Sequence, residues 1–314
     1  MMEKKYNLVF IGTPAYSVPS LEALFNDERF KIAAVITAPD VKIGRRQIIT
    51  PPPVKQTAQK FKLKILQPKI LTRAVADELR ALHLDAIVTI AYGKIIPEFI
   101  LNIPKYGCFN LHASLLPKYR GAAPIQAAIA AGEKQTGVTL MQMDAGIDTG
   151  PIIAQEACSV IENETGASLH DKLALLSAQV AIKFLEPALR AEIKPKNQTN
   201  QEATMTAKIT RADGKIDWQQ NATVIERLTR AYYPWPGTWS LFNNQILKII
   251  AVDQAVLNIN KYQVGEMFIH QNNIAVQCGH NAIGIQTLQL QGKKPMRSEK
   301  FLRGYKNILP TILK

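Results

Sequence analysis

Between Phe109 and Pro151 the chain brings an amide, an imidazole and a carboxylate close together in sequence: FNLHASLLPKYRGAAPIQAAIAAGEKQTGVTLMQMDAGIDTGP. Asn110 and His112 stand two residues apart at the end of the apolar run Cys108, Phe109, Leu111. Side chains at that spacing share one face of an extended strand, so both can point into one pocket. Asp148 stands in the Gly-rich turn from Ala145 to Gly150, after a second strand-like run from Val138 to Met143. A carboxylate so placed can reach back toward His112. The trio suits acyl-type transfer to an amine. Attack on a formyl carbon builds a tetrahedral oxyanion, which the NH2 of Asn110 and a protonated His112 can stabilise by aimed hydrogen bonds. His112 can relay the proton the amine loses, and Asp148 would hold the imidazole in one tautomer. No serine or cysteine nucleophile is needed when the amine attacks directly. Singly, each residue also has a plain structural reading: Asn110 as a strand-end turn residue, His112 as a hydrogen-bonded core imidazole, Asp148 as a loop residue.

The elements that must position these residues read as an α/β domain. Leu8 to Ile11, Ile32 to Ile36, Asp85 to Ala91 and Cys108 to Leu111 are short apolar runs of the buried parallel-strand type. Helical patterns such as Leu21 to Phe25 and Val75 to Leu82 separate them, which predicts a doubly wound sheet. The first strand leads into Gly12, Thr13 and Pro14 rather than G-x-G-x-x-G, so the usual Gly-rich nucleotide turn is not expected. Ser168 to Ala191 reads as one long amphipathic helix interrupted late by Pro187, and the polar stretch 194–207 reads as a linker. Beyond it, Trp239 to Phe242, Ile246 to Val252, Gly265 to Ile269, Asn273 to Cys278 and Ala282 to Leu290 are short strand-like runs. Such runs predict a small barrel with an OB-like fold among the few that fit. The expected division is therefore a catalytic domain over 1–193, a linker over 194–207 and an OB-like barrel over 208–314. Pattern alone leaves open whether that barrel binds RNA or completes the enzyme as a structural cap.

Composition fits an intracellular enzyme of about two domains. Cys108, Cys158 and Cys278 are too few and too scattered for a disulfide framework or a zinc site, and no metal is expected. The start, MMEKKYNLVFIGTP, moves straight into a strand pattern without a signal-peptide core, and no apolar run approaches a membrane span, so a cytoplasmic protein is expected. Net charge is +13, and residues 208–314 hold 14 Lys or Arg against 6 Asp or Glu. A basic surface attracts polyanions through counterion release and equally serves solubility, so charge leaves both readings open.

The pattern N-L-H-x-S-L-L-P-x-Y-R-G followed by D-x-G-x-D-T-G-P resembles the folate-dependent formyltransferase family. That resemblance implies a Rossmann-like fold, Asn110, His112 and Asp148 as catalytic residues, and Ser114, Leu115, Leu116 and Pro117 as a 10-formyltetrahydrofolate-binding signature. Folate would be the formyl donor, with the formyl group presented to Asn110 and His112.

Two further segments bear on the acceptor. Thr37 to Ala58, TAPDVKIGRRQIITPPPVKQTA, is too long for an ordinary strand-to-helix connection. It resembles the inserted loop of the branch of that family that acts on methionyl initiator tRNA. The resemblance implies that Arg45, flanked by Lys42 and Arg46, meets the acceptor stem; guanidinium forks suit phosphates and base edges. The chain departs from that branch at Arg46, Gln47 and Ile48, where a Gly and one or two Lys are common. Ala207 to Trp239, with I-D-W and P-W-P-G, and the late G-K-K-P-M from Gly292 to Met296 resemble the same branch. Arg211, Lys293 and Lys294 are then expected to contact tRNA phosphates. The resemblance implies tRNA and folate as partners; no protein partner or membrane is expected, and a monomer is expected because two domains and a bulky tRNA already account for the exposed surfaces. A glycinamide-ribonucleotide or sugar-amine formyltransferase, a formyltetrahydrofolate hydrolase, and an RNA-binding protein on a retired enzyme scaffold are the rival readings.

Overall fold

The computed structural model describes residues 5–44, 46–305 and 309–314. Contacts divide the chain into two compact units. One runs through Pro124 and includes Gln135–Ser159 and His170–Thr206; the other comprises Ile125–Lys134, Val160–Leu169 and Ala207–Lys314.

Seven strands form the sheet of the first unit: β1 (Tyr6–Gly12), β2 (Phe30–Ile36), β3 (Ile65–Leu66), β4 (Ala86–Ile90), β5 (Cys108–His112), β6 (Gln135–Gln142) and β7 (Ile152–Ser159). All five residues of β4 are buried, as its run of Ala, Ile, Val, Thr and Ile requires of a central parallel strand. In β7 only Ile153 is buried, and from Ala154 on half-buried and exposed positions alternate, as an edge strand can. The spatial order is β3-β2-β1-β4-β5-β6-β7. β1, β2, β3, β4 and β5 pair in parallel, and β6 and β7 join antiparallel. Strand order turns back between β1 and β4, and in such sheets ligands bind beyond the carboxyl ends near that switch. β5, which carries Asn110 and His112, is the next strand out.

Along the same stretch of sequence run α1 (Val18–Asn26), α2 (Pro53–Lys60), α3 (Arg73–Arg80), α4 (Glu98–Leu101), α5 (Pro124–Ala131), which falls almost wholly in the second unit, and α6 (Gly166–Leu189), whose first residues do. Prolines open α2 and α5, where a missing N–H costs nothing. Val9, Ile11, Ile87 and Cys108 of the strands pack with Ala76 and Leu79 of α3 and Ile100 and Leu101 of α4. Ile87, Leu79 and Ile100 are fully buried, each burial contributing about 1.5–3 kcal/mol. α6 contains Pro187 within its last turn.

The segment from Thr37 to Ala58 is more ordered than its length predicts. Val41–Ile43 pairs antiparallel with Ile48–Thr50, and Pro53 then opens α2. Two short β-branched runs around Gly44, whose φ is +70°, explain the hairpin. Arg45 lies outside the described residues. Val41, Ile43, Ile48 and Ile49 leave more than half of their surface exposed. The polar stretch read as a linker is also ordered: Met205–Thr206 pairs in parallel with Arg120–Gly121 inside the first unit.

In the second unit β8 (Thr238–Phe242), β9 (Gln245–Val252), β10 (Glu266–His270), β11 (Asn273–Gln277), β12 (Ala282–Leu290) and β13 (Thr311–Ile312) pair antiparallel throughout, in the order β8-β9-β12-β11-β10-β13. The last residues draw the two ends of this sheet together. Leu241 N donates to Lys314 O at 2.8 Å, Lys314 N to Leu241 O at 3.1 Å, and Leu313 N to Gly265 O at 2.8 Å. The result is the OB-like barrel expected from strand count. Trp218, Ile225 of α7 (Ala222–Ala231), Phe301 of α8 (Ser298–Tyr305), Leu247, Ile285 and Leu313 fill its core. Asn221 caps α7 by accepting from Thr223 N at 2.9 Å. Among the described residues no helix is long and apolar enough to cross a membrane.

Candidate active site

β5 ends on Asn110, Leu111 and His112, and alternation along it puts Asn110 and His112 on one face. The turn after β6 brings Asp148 to both. Asn110 Nδ2 donates to Asp148 Oδ1 at 3.2 Å, and His112 Nδ1 lies 3.5 Å from Asp148 Oδ2. The carboxylate also accepts from Gly121 N at 2.9 Å. Spacing had suggested only the Asp148–His112 contact; the bridge to Asn110 is new. His112 Nε2 lies 2.8 Å from the carbonyl oxygen of Tyr119, which can only accept. An acceptor thus faces each ring nitrogen.

The Asp148 backbone has φ +53°, in the left-handed region that Asp tolerates better than most side chains. Asp144 braces the start of this turn, accepting from Gly146 N at 3.0 Å and from Thr149 Oγ1 at 2.7 Å. Gly150 must be a glycine, since a Cβ there would lie 1.9 Å from the carbonyl oxygen of Gln142. These contacts let the chain reverse tightly enough after β6 to return a carboxylate to β5.

Ser114, Leu115, Leu116 and Pro117 follow directly. Ser114 Oγ donates to Lys118 O at 2.6 Å, Thr139 Oγ1 donates to Ser114 O at 2.6 Å, and Leu116 N donates to Thr139 Oγ1 at 3.1 Å. Ser114 and Leu116 are buried, so their side chains brace this loop from within. Cys108, two residues before Asn110 on the same face, is 1% exposed, and burial pushes its thiol up to about 12. A thiol so placed stays protonated at neutral pH and is no nucleophile. A cleft of about 520 Å³ lies at the start of β5, lined among others by Asn102, Lys105, Tyr106, Gln142 and Asp144, and its lining includes none of Asn110, His112 and Asp148.

Comparison with known proteins decides the lineage. Residues 6–185 match the family described as Formyl transferase, and residues 208–306 match Formyl transferase, C-terminal domain. The methionyl-tRNA formyltransferase of Caldanaerobacter subterraneus subsp. tengcongensis is 40% identical over 309 residues, spanning 98% of this chain and 99% of that one. That of Stutzerimonas stutzeri is 41% identical over 94% of this chain and 93% of its own length. The chain belongs to the methionyl-tRNA formyltransferase family. Solved structures share its fold. A methionyl-tRNA formyltransferase from Clostridium thermocellum matches at TM-score 0.55 and 17% identity over 79% of this chain and 93% of that one. An N-formyltransferase from Helicobacter canadensis, solved with folinic acid and dTDP-3-aminofucose, matches at TM-score 0.66 and 22% identity over 89% and 99%.

Within this methionyl-tRNA formyltransferase framework the basic residues singled out from sequence are surface groups. Lys42 lies on the hairpin strand Val41–Ile43 and Arg46 in its turn, both exposed, while Arg45 is outside the described residues. Arg211 precedes a short 3-10 turn and accepts through its carbonyl from Trp239 Nε1 at 3.1 Å. Lys293 and Lys294 occupy the exposed turn after β12.

Sequence reasoning missed a second layer of residues. Arg120, 5% exposed, donates through Nε to Gln198 Oε1 at 3.0 Å and through Nη2 to Asn200 Oδ1 at 3.1 Å. Gln198 Nε2 in turn donates to the carbonyl oxygens of Asp148, at 2.9 Å, and of Gly150, at 2.7 Å. The only sequence signal was Arg120 inside the Y-R-G pattern. Gln198 and Asn200 stand in polar chain without periodicity, where no rule of spacing picks them out.

Proposed function

We propose that this protein transfers the formyl group of 10-formyltetrahydrofolate to the α-amino group of methionyl initiator tRNA, in the cytoplasm, with the first domain binding folate and performing the chemistry and the second binding tRNA. The observation that carries the reading is the convergence of Asn110, His112 and Asp148 in a chain 40% identical over nearly its full length to named methionyl-tRNA formyltransferases.

The neutral amine attacks the formyl carbon. Its C–N bond forms as the carbonyl π pair moves onto oxygen. Asn110 Nδ2 has a second N–H beyond the one given to Asp148, and that hydrogen is free to meet the oxyanion; a protonated His112 adds the second charge-stabilising contact. The tetrahedral adduct collapses with loss of the folate nitrogen, which needs a proton, while the attacking nitrogen must lose one. His112, oriented between Tyr119 O and Asp148, is the group placed to pass that proton. Asp148 keeps the imidazole and the amide in register. Burial of the Cys108 thiol agrees with direct transfer, with no acyl-enzyme stage.

Ser114, Leu115, Leu116 and Pro117, which follow His112 and Ala113 in the chain, are the residues that would hold the folate donor beside the trio. On the acceptor side, Arg45, together with Lys42 and Arg46 of the hairpin and Arg211, Lys293 and Lys294 of the second domain, supplies phosphate and base contacts. The protein acts as a monomer. Incubation with labelled formyl donor and, separately, methionyl initiator tRNA, an aminosugar nucleotide, glycinamide ribonucleotide or water alone tests the reading. Label is expected on methionyl-tRNA. Transfer to another amine at a higher kcat/KM, or hydrolysis alone, would refute it.

A further inference from the structure

Asp148 holds a left-handed backbone conformation, φ +53°, and hydrogen bonds to its turn keep it there. The enforcing contacts come from a distant stretch of sequence. Gln198 Nε2 donates to two carbonyl oxygens of the Asp148 turn, those of Asp148 and Gly150, and its Oε1 is held by Arg120 Nε. Asn200 Oδ1 accepts from the other side of the same guanidinium. Six residues on, the same stretch stitches down the backbone beside Gly121. Tyr119 N donates to Thr204 Oγ1 at 2.8 Å, Arg120 N to Thr204 O at 2.9 Å, Thr206 Oγ1 to Arg120 O at 3.0 Å, and Ala123 N to Thr206 Oγ1 at 3.0 Å. Gly121 N is the donor that meets Asp148 Oδ2. Its φ is +103°, and a Cβ there would lie 2.3 Å from Thr206 O, so the strap lies directly against it.

We propose that Gln198, locked by Arg120 and Asn200, is a positioning residue for formyl transfer: it clamps the Asp148 turn by its backbone while Thr204 and Thr206 fix the Gly121 N–H that aims the carboxylate. The inference rests on the catalytic role given above to Asp148. Gln198 touches neither His112 nor Asn110 in the described contacts, so its effect passes through the placement of the carboxylate that bridges them. A displacement of about 1 Å at such a bridge costs up to about a hundredfold in rate, without altering how either substrate is held.

The test uses the full-length enzyme and three variants, Gln198→Ala, Gln198→Glu and Asp148→Asn, with kcat and KM measured for both substrates and the melting temperature of each. Gln198→Glu keeps the volume and the acceptor for Arg120 but sets a carboxylate against two carbonyl oxygens, so filling the space does not rescue it. Both Gln198 variants are expected to lose between about ten- and a hundredfold in kcat, with KM for folate and for methionyl-tRNA within about twofold of wild type. Full kcat in either variant, or a rise in KM with kcat intact, would overturn the positioning role. Should Gln198→Ala fail to fold, Gln198→Glu carries the test alone. An active Asp148→Asn would instead remove the catalytic reading of Asp148, and the proposal with it, which separates the two failures.

Discussion

At the scale of single residues, the carboxylate of Asp148 organises the site. It accepts from Asn110 and Gly121 and faces His112, so one side chain sets the orientation of both groups proposed to meet the oxyanion. Its neighbour by strand register, Cys108, is excluded from the chemistry by burial, which holds its thiol neutral far above physiological pH. Cys278, 1% exposed, is pushed up to about 12 for the same reason. The raised values keep both groups as thiols throughout neutral and mildly alkaline pH. Iodoacetamide applied to the native protein at pH 8 is therefore expected to leave Cys108 and Cys278 unmodified, read by peptide mass, and full labelling only after denaturation. Rapid labelling of native Cys108 would contradict direct amine attack as the reason no thiol is needed.

At the scale of elements, the strands of the sheet that carries the site were legible in sequence because they are dense apolar runs broken by few polar residues. Asn110 and His112 stand out against Cys108, Phe109 and Leu111 for that reason. What was not legible lies in segments whose order comes from contacts distant along the chain. The 194–206 stretch has no period of its own and takes shape through hydrogen bonds to distant residues such as Arg120, Asp148, Gly150 and Ile152. The Thr37 to Ala58 segment folds its first part into a hairpin that length arguments treat as loop. Closure of the OB-like barrel likewise rests on a few terminal residues: Leu313, 3% exposed in the barrel core, sits between two closing backbone contacts. Leu313→Ala is expected to cost about 2–5 kcal/mol in urea unfolding followed by a barrel probe such as Trp218 fluorescence. A change under about 0.5 kcal/mol, the usual size of a neutral surface substitution, would contradict closure by this segment. The Thr37 to Ala58 segment makes its own prediction. Arg45→Ala should lower kcat/KM for methionyl-tRNA while leaving folate affinity unchanged, measured by initial rates and by folate titration; an unchanged kcat/KM would remove Arg45 from tRNA recognition.

At the scale of the whole molecule, charge and chemistry are divided. The last 107 residues carry 14 Lys or Arg against 6 Asp or Glu, although the trio lies in the first domain. Such a distribution suits an acceptor that brings its own phosphates. Affinity for methionyl-tRNA should fall with salt, and each phosphate contact removed should flatten the log–log slope by about 0.7–0.9. Lys293→Ala with Lys294→Ala is expected to reduce that slope while leaving kcat at saturating tRNA unchanged; affinity indifferent to salt would oppose tRNA docking on this surface. The central claim is that Asn110 and His112 stabilise the transition state of formyl transfer to the tRNA-borne amine. Single-turnover formylation of methionyl initiator tRNA tests it most directly, with both substrates saturating and folding checked by circular dichroism. Asn110→Ala and His112→Ala are each predicted to slow transfer by at least about a hundredfold with folate binding retained. Near-wild-type transfer by either folded variant would contradict the account.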